Sequence, residues 1–171
     1  MPREDEWGGW VVVLAEAEGL RWVLEGSRMA WTEASARRAE QIRPGDRLVL
    51  YVARGAFHNP TRDESQLIGL AEVTSPVRRL PRPVRIAGRS FVCGCDLRLE
   101  VVLPERRGAP VRPLVPKLSF VRRKEVWGQY FRSGLIHVPP GDLAVLETAV
   151  RRAARGTGSA SVSATPSALR S

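Results

Sequence analysis

The stretch Lys117–Leu135, KLSFVRRKEVWGQYFRSGL, concentrates the side chains of this sequence best suited to chemistry. Ser119, Phe120, Lys124, Trp127, Phe131 and Arg132 all fall within it. Cations neutralise phosphate, while aromatic faces stack on bases or enclose methyl groups. Trp127 and Phe131 are four residues apart, so on a helical turn they share one face. Hydroxyl, cation and aromatic together suit a nucleic-acid or modified-base pocket better than a plain core helix.

Other segments offer similar groups. Phe57-His58-Asn59-Pro60-Thr61-Arg62-Asp63 combines an aromatic ring, an amide able to pair a base edge and an arginine for phosphate. Asn-Pro is equally a turn signal. Trp31, flanked by small and polar residues, is the best placed tryptophan for an aromatic cage. Trp10, which opens an apolar strand, and Trp22, on a short amphipathic stretch, read as core.

The formal net charge of +9 and the pI near 11.0 favour an anionic partner, most commonly nucleic acid. Arg151, Arg152, Arg155 and Arg170 place part of this excess at the C-terminal end, and lysine occurs only at positions 117 and 124. Cys93 and Cys95 are alternate residues of one strand, poorly disposed for a disulfide. No Cys or His pair at zinc-finger spacing joins them, and His58 and His137 are far apart, so neither a metal nor a cofactor is expected. The apolar run Trp10–Ala15 is too short to span a bilayer, and no signal peptide is evident, so the expected location is the cytoplasm without membrane contact.

A chain of 171 residues is long enough for one domain with its own core. Residues 1–9 read as a flexible N-terminus. The pattern predicts strands at 10–15, 47–52, 67–73, 84–87 and 90–102, with 20–26 as a short segment ending in glycine. Helices are expected at 32–42, capped by Thr32 or Ser35, and at 140–154. Arg43-Pro44-Gly45-Asp46 is a stop and a turn. Pro76–Pro83, with three prolines and three arginines, reads as an irregular connection or a basic surface strip. Residues 155–171, rich in Gly, Ser, Ala and Thr, read as a disordered tail. The class is α+β, a small curled barrel of five to six strands with flanking helices.

In this order, Trp10–Val13, RPGDRLVLY at 43–51, IGLAEV at 68–73, Leu118-Ser119-Phe120, Lys124, Trp127-Gly128 and Phe131-Arg132 resemble the EVE domain over residues 10–154. EVE is a branch of the PUA-like superfamily, related to the YTH readers. The resemblance implies a non-enzymatic module that holds an extruded, modified base in an aromatic pocket. Its partner would be DNA or RNA carrying methylated or hydroxymethylated cytosine, or methylated adenine. Ser27, Met29, Trp31, Tyr51, Phe57, Asn59, Ser119, Phe120, Trp127 and Phe131 are the expected pocket, and Arg28, Arg62, Lys124 and Arg132 the expected phosphate contacts. Gly26–Trp31 stands where the family's first loop feeds the pocket, but lacks its Trp-Asp-Gly-Val-Arg-Asn pattern. The related ASCH branch offers an alternative, an amidohydrolase on a modified nucleoside, with Ser119, Thr61, Lys124 and Glu125 as its reactive groups.

Overall fold

The computed structural model describes residues 3, 6–58 and 63–157. Its frame is a curled half-barrel, built from strands whose β-branched and aliphatic residues are buried. Strand β1 (Gly9–Leu14) lies parallel to β3 (Arg47–Val52) and antiparallel to β8 (Leu135–Val138). Beyond β3 come β4 (Gln66–Val73) and β6 (Arg89–Val102), and β2 (Arg28–Trp31) closes the order β2-β6-β4-β3-β1-β8. The short β7 (Ala109–Pro110) pairs with β4. Trp10, Val11, Leu48, Leu50, Ile68 and Leu70 are essentially inaccessible and form the centre of the core.

The fourteen-residue β6 is the backbone of the curl. Its second half pairs with β4, while its first half pairs with β2 on one side and β5 (Arg78–Ile86) on the other. Gly94 permits this: a Cβ there would sit 2.5 Å from the Met29 carbonyl oxygen, so only glycine lets β2 approach. Ala87 and Gly88, at φ 50° and 79°, form a two-residue hairpin turn between β5 and β6 with the positive dihedrals such turns demand.

Helix α1 (Ala17–Gly26) and helix α2 (Glu33–Ala39) flank β2, and α3 (Pro140–Thr157) packs across β4, β6 and β1. Across the face under α3, Arg47 bridges Glu100 and Glu147, Arg98 meets Glu72 and Glu100, and Arg151 reaches Glu100. These carboxylates neutralise the arginines on that side of the molecule.

Several expectations change. Gly26–Trp31 is not a loop: from Arg28 it is a strand, because Met29, Ala30 and Trp31 have a partner in β6. The glycine-terminated segment is helix α1, and its left-handed cap is Ser27 at φ 50°. Pro76–Pro83 is largely strand: β5 keeps Pro81 and Pro83 within a register shift between Arg79 and Val84, where a missing N–H costs no ladder bond. Thr32 caps α2 by backbone position without a side-chain bond. Trp7 is not frayed: its ring packs edge-on to His137, whose Nε2 lies 2.8 Å from the Trp7 carbonyl oxygen. Helix α3 runs past residue 154 to Thr157; residues 158–171, the rest of the expected tail, lie outside the described residues. No described helix is long and apolar enough to cross a membrane.

Candidate functional site

The half-barrel leaves a seam between its terminal strands, β2 and β8. Helix α2 sits against it, with Arg38 donating to the Leu135 carbonyl at 2.9 Å. Beside α2 the seam opens into a pocket of about 330 Å³. Cross-strand pairing builds one wall: Trp31 faces Cys93 and Met29 faces Cys95, so alternation brings Phe91 to the same side. Trp22 from α1 and Ile86 from the β5–β6 hairpin also line it. Glu16, Thr32, Ser35 and Ser133 supply polar edges, and Arg89 and Arg132 also line the pocket.

Trp31 is 2% exposed, yet its indole Nε1 is the one buried side-chain nitrogen or oxygen without a hydrogen-bond partner among the described residues. Buried polar atoms are nearly always satisfied, so this donor calls for an explanation. Trp10, equally buried, differs: its Nε1 donates to Asp46 Oδ2 at 2.9 Å. The Arg28 guanidinium lies 4.2 Å from the Trp22 ring centroid, a cation–π contact on the pocket wall.

A second hollow of about 330 Å³ is lined by Tyr51, Trp127 and Phe131 together with Arg54, Arg112 and Arg132. Phe131 stacks on Tyr51 with centroids 4.6 Å apart, and Trp127 meets Phe131 edge-on at 6.0 Å. Burial pushes the Tyr51 phenol up, with the Ser65 hydroxyl opposing the shift. Arg132 lines both cavities.

The expected pocket residues are therefore divided. Met29 and Trp31 line the seam pocket; Tyr51, Trp127 and Phe131 line the second hollow, so Trp31 and Trp127 are not two walls of one cage. Trp127 and Phe131 do share a short helix, but it is a 3-10 helix, Lys124–Phe131, kinked at Val126. Phe57 lies elsewhere, in a polar depression beside His58 and Glu105, with Arg106 over its ring. Ser27 serves the backbone turn after α1. Ser119 is committed to Asp142: its N–H and Oγ both donate to Oδ1 at 2.9 Å, and the Phe120 N–H donates to Oδ2. Phe120 packs edge-on against Phe131 and Tyr130. Lys124 donates to the Leu118 carbonyl at 2.6 Å, which ties down its own turn, and it lines neither cavity. Glu125 pairs with Arg123. Asn59, Thr61 and Arg62 lie outside the described residues.

Cys93 and Cys95 are free and buried, and burial pushes the Cys95 thiol up to about 12. No group of three metal-ligating side chains occurs among the described residues. Glu16, Trp22, Thr32, Ser35, Phe91 and Arg89 were missed as pocket residues. Alternation from Cys93 and Cys95 back to Phe91 was a usable signal; nothing local marked the others.

No protein-family model matches the chain. A UPF0310 protein of Pyrococcus abyssi (strain GE5 / Orsay) is 24% identical over 129 residues, spanning 64% of this chain and 76% of its own. Among solved structures, the YTH domain-containing protein mmi1 in complex with RNA aligns with a TM-score of 0.59 at 11% identity, over 87% of this chain and 84% of that one. A hypothetical protein from Leishmania major gives a TM-score of 0.51 at 14% identity, over 91% and 99%. The fold is thus the α+β architecture of YTH domains, a curled sheet with flanking helices.

Proposed function

We propose that this chain is a nucleic-acid-binding module of the EVE type that reads a modified base, extruded into the seam pocket. The observation that carries the reading is the aromatic lining of this pocket, Trp22, Trp31 and Phe91, beside the guanidiniums of Arg89 and Arg132. The volume of about 330 Å³ falls at the lower end of the ~300–1,000 Å³ typical of small-ligand sites. Extrusion costs a few kcal/mol in unstacking, and stacking on aromatic rings repays about 1–3 kcal/mol per base. A base methyl group against Met29 or Phe91 adds about 0.8 kcal/mol. Glu16 accepts from an exocyclic amino group, while Thr32, Ser35 and Ser133 serve either polarity. Phosphates flanking the extruded base lie against Arg89 and Arg132, with Arg78 and Arg82 of β5 continuing the basic strip. The mmi1 YTH domain, which shares the fold, was solved with RNA.

Fluorescence anisotropy at fixed salt tests this, with matched DNA and RNA oligonucleotides carrying cytosine, 5-methylcytosine, 5-hydroxymethylcytosine, adenine or N6-methyladenine. Tighter binding of one modification, lost on substitution of Trp31, is the expected result. Uniform binding across the panel would leave a basic surface and no base reader.

A further inference from the structure

We infer that the hollow at Trp127 is a second subsite, which takes the nucleotide next to the extruded one on the same single strand. This rests on the reading of the seam pocket as the base site. The shared residue is Arg132, which lines both cavities, so a strand leaving the first passes a guanidinium belonging equally to the second.

The second hollow has the two components that single-strand binding requires, a stacking surface and unneutralised cations. Trp127 is half-buried and braced by Phe131, which is itself stacked on Tyr51, so the ring is held in place before any ligand arrives. The Arg112 guanidinium is 5.9 Å from the Trp127 ring centroid, and Arg54 and Arg132 complete a cluster of three. Six arginines elsewhere are held by carboxylates: Arg21 with Glu105, Arg79 with Glu33, Arg106 with Asp63, and Arg47, Arg98 and Arg151 with the glutamates under α3. Others, such as Arg78, Arg82 and Arg89, form no ion pair among the described residues but do not surround an aromatic ring in this way. Arg54, Arg112 and Arg132 form no ion pair among the described residues. One carboxylate, Glu64, lines the same hollow, so the site keeps an excess of positive charge. Three unpaired guanidiniums around an aromatic ring attract an anion that also presents a π face. A nucleotide has both, its phosphate for the arginines and its base for Trp127.

The test compares a free modified nucleoside with a labelled single-stranded hexanucleotide carrying that base internally. The variants are the double substitution Arg54→Gln/Arg112→Gln, which spares Arg132, and separately Trp127→Ala with its folding checked by circular dichroism. The nucleoside, confined to the seam pocket, should bind every variant as it binds the unaltered chain. The double variant should weaken the hexanucleotide and reduce the slope of log K against log salt by up to about 0.7, the loss of one phosphate contact. Trp127→Ala should weaken the hexanucleotide about 5- to 150-fold, the loss of one stacked base. Hexanucleotide affinity and salt slope unchanged by the double variant would overturn the subsite, as would equal losses for nucleoside and hexanucleotide. Displacement of the hexanucleotide from the second hollow by an acidic peptide of higher affinity would reassign it to a protein partner. Hexanucleotide binding that depends on Arg54 and Arg112 but ignores the modification would keep the strand path and remove the base-reading role of the seam pocket. A chain that binds no hexanucleotide would overturn both.

Discussion

Replacing Trp31 with phenylalanine separates the stability role of this residue from its binding role. Phenylalanine removes two carbons and the nitrogen of the indole, and the lost apolar burial costs about 2 kcal/mol. It also removes the unpartnered Nε1–H, whose burial without an acceptor costs about 1–3 kcal/mol in the parent. The two terms oppose each other, so the stability of the unliganded chain should change by less than about 1 kcal/mol. In a domain of this size that is a shift in Tm of under about 4 °C. Trp10→Phe provides the internal control, because Trp10 is just as buried but donates to Asp46. There the same burial loss adds to a lost hydrogen bond to a carboxylate, worth about 1.5–3 kcal/mol, so Tm should fall by roughly 7–20 °C. Differential scanning fluorimetry reads both variants, and anisotropy on the modified oligonucleotide reads the site. Trp31→Phe keeps an aromatic ring and loses only part of the contact, about 0.5–1.5 kcal/mol, so it should weaken that binding about 2- to 12-fold while Tm hardly moves. Equal Tm losses for the two variants would refute the reasoning from the unpartnered N–H. A near-parental Tm with unchanged selectivity would remove Trp31 from the site. Trp31→Ala is a poorer probe, since truncating a buried tryptophan costs about 3–5 kcal/mol by itself.

Asp142→Asn should lower stability by about 2–3 kcal/mol, read as a Tm loss of about 4–12 °C, because the amide sets a donor against either the Phe120 N–H or the Ser119 pair. An unchanged Tm would show that the 118–120 turn holds without its carboxylate. Gly94→Ala should cost at least the ~1–3 kcal/mol of overpacking and loosen β2, since its Cβ would meet the Met29 carbonyl at 2.5 Å; amide exchange across β2 reports this, and full protection would contradict it. Neither thiol should react with Ellman's reagent at pH 8 until the chain is unfolded, because burial raises both. The folded-state value of about 12 for Cys95 lies above the usual 9.0, so its contribution to stability is complete below about pH 9 and declines as the pH rises toward 12. Rapid modification of the native protein would show that the β2–β6 face opens.

What could be read from the sequence follows the range of the interactions responsible. The strand Arg47–Val52, its Pro-Gly-Asp entry, and the long strand around Cys93 and Cys95 are written in local alternation and turn chemistry, and all three stand in the fold. The strand Arg28–Trp31 was invisible because its four residues owe their conformation to Gly94 of a distant strand, which admits the Met29 carbonyl. Pro81 and Pro83 hid β5 for the converse reason: a local breaker is harmless where a register shift leaves the N–H without a ladder partner. The site shows the same division. Residue type drew attention to Trp31, Trp127 and Arg132, which do line cavities, but type carries no information about which cavity a side chain enters. That depends on where the curled sheet stops. The seam between β2 and β8 brings together α1, β2, the β5–β6 turn and the 132–134 segment, elements more than a hundred residues apart, and it is this stop in the sheet that turns scattered aromatic and basic residues into a pocket, with Arg132 also lining the second hollow. A chain that closed the seam with a β2–β8 pair would keep the core, the helices and the charge, and would have no pocket for Trp31 to line.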